Sequence, residues 1–325
     1  MRIIYIYCIY FEKNIYYQFN AIYMEERTYV EERSFRKVQK LGGSLIVSLP
    51  KKWTKNHKLN KDSSVAIDIL NDRTLKITPG STQSEDIKKE LILESNPYVV
   101  KELVNNILSG ETYVVIRSDK VINKSLRDQI RYWVEGLPNT EITEESNQRI
   151  VVQNFGFKTI PTEKLIKRLL YITADMFDDL NQESYKNINN KFNELRKFYF
   201  ILVMHIRTYL RTGVNITEDS TFSPLKAMDY RIFCGKVQEI GKILKRLRIT
   251  PIVMPFFNEI HQYYNEVMDA YLKQDSKLSY YLWLKKYQIL EKAGYLFDVL
   301  EYKDHDKIKD MIGIAERCKD MAGLF

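Results

Sequence analysis

The sequence predicts an α+β protein: a short β-rich part, then a mixed α/β part, then a long helical part. Three observations predict it. Between Phe35 and Pro79 apolar residues alternate with a period of two, the pattern of half-buried strands. From Ile160 onward they recur every third or fourth residue, the pattern of amphipathic helices. Gly and Pro, at 12 and 8 in 325 residues, disfavour a loop-rich all-β chain and suit long helices.

Residues 1–33 form an N-terminal extension. Its first stretch, MRIIYIYCIYFEKNIYYQFNAIY, is rich in Tyr, and the apolar run from Ile3 ends at Phe11. A bilayer span needs roughly 20 apolar residues, so no membrane span is expected. Glu12 and Lys13 interrupt the run and no small-residue cleavage site follows, which argues against a signal peptide. Met24 precedes EERTYVEERSF, which reads as an ordinary cytoplasmic start. Translation is expected to begin at Met24.

Residues 34–80 read as a small β unit. SLIVSL alternates at Leu45, Val47 and Leu49 until Pro50 stops the strand. KKWTKNHKL has room for one short helical turn. VAIDIL places Val65, Ile67 and Ile69 on one face, Asn71-Asp72 supplies the turn, and Leu75 and Ile77 return. Pro79-Gly80-Ser81 closes the unit. So short a segment buries little core by itself, so a partner surface is expected.

Residues 82–158 read as an α/β linker domain. DIKKELILE and YVVKELVNNILSG are expected to be helical, the second ending at Gly110. TYVVIRS reads as a strand and KSLRDQIRYWVEGL as a helix closed by Gly136. TEITEES and RIVVQNF complete it as a strand pair.

Residues 160–325 carry six apolar stripes in two groups of three, the pattern of two antiparallel three-helix bundles. They begin at Leu165, Ile188, Phe233, Phe256, Leu278 and Ile308. Ser223 is the expected N-cap and Pro224 the first residue of the third helix.

The charge is placed unevenly. Arg33 through Lys61 holds nine Lys/Arg and no acid, and removing those nine leaves 41 basic against 42 acidic residues. The formal charge of +8 therefore resides in one segment. Such concentration points to a polyanion, with nucleic acid ahead of a membrane surface. The candidate DNA-binding residues are Arg36, Lys37, Lys40, Lys51, Lys52 and Lys55. Cys8, Cys234 and Cys318 are too far apart for a CxxC metal site or a disulfide framework, which suits a reducing cytoplasm. Gly-rich phosphate loops, GxSxG, HExxH and Cys/His clusters do not occur, and nothing argues for an enzyme. His205 and His261 lie in helical stretches and read as packing residues.

FRKVQKLGGSLIVSLPKKWTKNHKLNKDSSVAIDILNDRTLKITP resembles the swapped-hairpin DNA-binding domain of AbrB/SpoVT type. The helical part is similar to tandem PhoU domains, above all in LKAMDYRIFCGKVQEIGKIL and MIGIAERCKDMAGL. Together they resemble archaeal PhoU-family regulators linked to phosphate uptake or transcription. The resemblance implies a homodimer formed by exchanging hairpins, with double-stranded DNA as partner. Arg36 and Lys37 would begin the DNA face and Lys55 would follow the short helix. Gly43 stands where the family often has Arg, and Lys61 where it has Gly before Asp62.

The PhoU resemblance also implies a metal ion held by acidic ExxxD motifs. Carboxylates four apart share a helix face and suit hard cations. The third helix has Gln238 and Lys242 at those positions and the second has Arg196, so Glu316 and Asp320 alone keep the motif. The function expected is a DNA-binding transcriptional regulator of phosphate uptake or homeostasis, its PhoU domains sensing or relaying the signal. The alternative is a PhoU-type adaptor that docks on a phosphate-transport or signalling protein.

Overall fold

The structure is a computed structural model and describes residues 35–69, 74–80, 89–92, 98–156, 160–212 and 222–324. The expectations for residues 1–33, for Met24 and for the Asn71-Asp72 turn lie outside these residues. The chain divides into two compact units, with the boundary between Ser63 and Ser64.

The first unit is a hairpin and a short helix. Strands β1 (Gln39–Leu41) and β2 (Ser44–Ile46) pair antiparallel with Lys40 opposite Leu45. The two-residue turn between them needs a left-handed first residue, and Gly42 supplies it at φ +58°. Pro50 sits at the N-cap of α1 (Lys51–Asn56), with φ −62° already suited to a helix entry. Lys58, at φ 52°, takes the left-handed position that ends the helix, and Leu59 N–H returns to Thr54 O at 2.9 Å. The Asn60–Ser63 turn is closed by side chains. Asp62 N–H donates to Asn60 Oδ1 and Asn60 N–H to Ser63 Oγ, both at 2.9 Å. Lys61 is not left-handed, so this turn has no need of a glycine at that position.

The second unit opens with the antiparallel hairpin β3 (Val65–Ile69) and β4 (Leu75–Pro79), in register Ile67 to Ile77. A four-stranded sheet follows, in the order β5-β6-β8-β7. Its strands are β5 (Lys89–Ile92), β6 (Tyr113–Arg117), β7 (Thr140–Glu145) and β8 (Arg149–Asn154). Helices α2 (Val99–Leu108) and α3 (Lys124–Gly136) connect them, and the Asn123 side chain caps α3 by accepting from Leu126 N–H at 2.8 Å.

One expectation here is corrected. Within DIKKELILE, residues Lys89–Ile92 form strand β5, parallel to β6, rather than a helix. Short apolar runs satisfy either period, and the free edge of β6 decides in favour of the strand.

The helical part contains α4 (Thr162–Asn181), α5 (Tyr185–Thr212), α6 (Pro224–Arg246), α7 (Met254–Lys273), α8 (Ser276–Val299) and α9 (Tyr302–Ala322). The Ser223 side chain accepts from Lys226 N–H at 3.2 Å and Pro224 opens α6, as the sequence indicates. The stripe residues Leu165, Leu169, Met176, Leu195, Phe233, Ile260, Ile308 and Cys318 are all buried. Each group of three packs within itself, but α6 also packs on α9 and α4 on α7, so the two groups share one core. The Tyr264 hydroxyl donates across that seam to Leu170 O at 2.9 Å. Gly241 permits the close approach of α6 to α5, since a Cβ there would strike the Leu195 side chain. Among the described residues no helix is long and apolar enough to cross a membrane.

Candidate nucleic-acid interface

Every described basic residue of the charged segment is exposed: Arg36, Lys37, Lys40, Lys51, Lys52, Lys55, Lys58 and Lys61. They arise from three local devices. Arg36 and Lys37 lead into β1, and Lys40 lies on it. Lys51, Lys52 and Lys55 sit on α1, where Lys51 and Lys55 are one turn apart and share a face. Lys58 and Lys61 belong to the turns that follow. No acidic residue occurs between Phe35 and Lys61, so the charge along this segment is of one sign.

Trp53 is half-buried on α1, and its ring lies 5.0 Å from that of His57. That pair holds the last turn of α1, the element carrying three of the candidate lysines. Sequence reasoning did not single it out, although the i, i+4 spacing of two aromatic rings was a usable signal.

The unit also exposes apolar surface. Phe35, Val38, Leu41, Leu45 and Val47 are each more than half exposed, Phe35 at 86%. In the second unit Ile67, Ile69 and Leu75 of the β3–β4 hairpin are exposed likewise. Alternating strands normally bury one face, so among the described residues each hairpin carries an exposed apolar face.

The remaining candidates lie in the helical part. Glu316 faces Lys286 at 3.6 Å, and Asp320 faces Lys236 at 2.9 Å and Lys319 at 3.4 Å. Both carboxylates of the motif are therefore neutralised by ammonium groups. Among the described residues no group of three or more His, Cys, Asp or Glu is placed to hold a metal ion. Arg196 is buried against α3, its Nη2 donating to Tyr132 O at 3.1 Å. Gln238 is buried as well, and Lys242 points to solvent.

Of the histidines, His261 stacks on Phe177 with ring centroids 4.7 Å apart, consistent with packing. His205 is buried on α5, and desolvation pushes it down to about 4. Cys234 and Cys318 are buried free thiols, and burial pushes both far above the ordinary thiol range.

No protein-family model, curated protein or solved structure matches this chain.

Proposed function

We propose that this protein is a homodimeric DNA-binding transcriptional regulator. The observation that carries the reading is the exposed, acid-free basic segment, in which the hairpin and α1 present lysines and arginines together. Lys and Arg contacts to phosphates supply affinity without sequence information, and an Arg paired to guanine supplies specificity. Arg36 is the residue for that second role.

The dimer follows from the uncovered apolar faces. Exchange of hairpins between two copies, as the AbrB/SpoVT resemblance implies, would cover Leu45, Val47, Ile67 and Ile69 and complete one barrel. It would also double nine charges to about eighteen across a two-fold axis, matching the half-sites of a palindromic operator. The link to phosphate uptake and the sensing role of the helical part come from the PhoU resemblance. Any signal acting there must bind one arrangement of the dimer better than another.

A second reading is favoured by one specific feature. Along α8, Tyr280, Leu284, Tyr287 and Tyr295 are all exposed and recur at helical spacing. An aromatic face of this kind suits a protein partner, as the adaptor alternative requires.

Sequencing the genomic DNA retained by the purified full chain at physiological salt tests both. Retention of a palindromic motif upstream of phosphate-transport genes supports the regulator. Retention of random DNA leaves a non-specific binder, and no retention favours the adaptor.

A further inference from the structure

A polar cavity of about 250 Å³ opens at the end of the helical part where α4 and α6 begin and α7 ends. Its charged and hydroxyl groups come from Glu163 and Lys167 on α4, Lys226 and Tyr230 on α6, and Tyr271 on α7. These residues come together because α4 and α6 run in the same direction, with α7 opposed to both.

Two phenols, Tyr230 and Tyr271, meet at its floor. Burial raises the pKa of both phenols. Tyr230 also interacts with Lys226 and with Tyr271 through side-chain hydrogen bonds. Tyr230, only 9% exposed, lines the cavity, and a phenol hydroxyl can donate as well as accept. Lys226 Nζ lies 5.6 Å from the Tyr230 ring centroid, which keeps its charge at the same spot.

The cavity therefore offers a buried phenol hydroxyl and two ammonium groups, a set that suits an anion with several acceptor oxygens. The volume is below the roughly 300–1,000 Å³ of sites for drug-sized molecules, so the anion is small. Glu163 adds a constraint. A carboxylate at the rim repels a fully deprotonated oxyanion but accepts a hydrogen bond from one that still carries a proton. Among common tetrahedral oxyanions at neutral pH, phosphate retains a proton and sulfate does not.

We infer that this cavity binds a protonated phosphate group, held by Lys167, Lys226 and Tyr230 and selected over sulfate by Glu163. The inference stands on these residues and does not require the DNA reading. Inorganic phosphate keeps that proton at pH 7, whereas a small monoester, with a second pKa of about 6, has mostly lost it and is the weaker ligand.

Isothermal titration calorimetry of the full chain with inorganic phosphate, glycerol 3-phosphate and sulfate, at fixed ionic strength and pH 7, tests it. Saturable phosphate binding at one site per chain, at least tenfold tighter than sulfate, is expected. Lys226→Met and Lys167→Met should each weaken it by about tenfold, the usual scale of a charge-assisted hydrogen bond. Tyr230→Phe should weaken it several-fold, and Glu163→Gln should narrow the preference over sulfate. Glu163 and Lys167 are exposed, so their variants remain informative if changes at Tyr230 disturb folding. Glycerol 3-phosphate should bind more weakly than inorganic phosphate, and tighter binding of it would overturn the role given to Glu163. Equal binding of sulfate, absence of saturable binding, or indifference to Lys226→Met and Lys167→Met overturns the proposal. DNA retention read on the same preparation keeps this outcome separate from that of the regulator reading.

Discussion

The guanidinium of Arg196 on α5 lies over the ring of Tyr132 on α3, its central carbon 4.3 Å from the ring centroid. Trp133 stands 5.9 Å away on the same helix, and Gly136 leaves the space that the guanidinium fills. This contact joins the α/β layer to the helical part. Among the described residues, the Nε and Nη1 atoms of Arg196 are buried without a hydrogen-bond partner. Its contribution is therefore chiefly packing and ring contact rather than ion pairing.

Arg196→Met should consequently be milder than Arg196→Ala. Met keeps the apolar stem and relieves the two unsatisfied donors, so urea unfolding should show a loss below about 1 kcal/mol. Ala leaves a cavity and should lose roughly 2–4 kcal/mol. Gly136→Ala should lose about 1–3 kcal/mol by overpacking against the guanidinium, and much less in an Arg196→Ala background. Equal losses for Met and Ala would show that the charge, not the stem, is what matters.

The two buried thiols give a chemical probe of the same core. Burial keeps Cys234 and Cys318 protonated, and neither is accessible. In a Cys8→Ser chain at pH 8, iodoacetamide should leave both unmodified in the native state and alkylate both in denaturant, as read by intact mass. Alkylation of Cys318 alone under native conditions would mean that α9 detaches locally.

Stability should fall in mild acid because of His205. Its pKa is depressed by burial from 6.5 to about 4 when folded. The unfolded chain therefore takes up the proton first as pH drops, and the stability tied to the neutral ring is lost between pH 6.5 and 4. Burial also lowers His261, with the Asp178 charge acting in the opposite direction, so it adds to the same trend. From pH 7 to pH 5 the His205 share is about 2 kcal/mol. Urea unfolding at both pH values should show that share disappear in His205→Leu, and a slope unchanged by the substitution would refute the assignment.

How much of this was legible in the sequence depends on what each element packs against. The stripes at Leu165, Phe233 and Ile308 announced their helices, because an amphipathic helix writes its buried face into its own residues. The merging of the two helical groups was not legible. A stripe says that a face is covered, but not that α6 meets α9 or that Tyr264 reaches Leu170. Lys89–Ile92 was misread because its conformation is set by β6, more than twenty residues further on. The basic segment was legible as charge, and its exposure agrees. The cavity at Tyr230 and Lys226 was invisible, since its groups come from three helices spread over more than a hundred residues. Arg196 was noted in the sequence only as a missing carboxylate, and its packing against Tyr132 and Gly136 could not be read there.

The salt dependence of DNA binding is the most direct test of the interface. Each phosphate contacted by a Lys or Arg releases a counterion, steepening the fall of log K with log salt by about 0.9. Arg36, Lys37 and Lys55 are exposed, so replacing all three by Ala should leave the fold intact. If each contacts one phosphate, the slope should shrink by roughly 3 for one chain and roughly 5 for a symmetric dimer. Fluorescence anisotropy between about 50 and 200 mM salt spans the range over which such a slope is read. Arg36→Ala alone should in addition reduce the preference for the retained motif, because a guanine contact carries roughly 1–3 kcal/mol of discrimination. A triple variant with the original slope would move the interface away from β1 and α1. A smaller slope with full preference would leave Arg36 a phosphate contact and place sequence reading on another side chain.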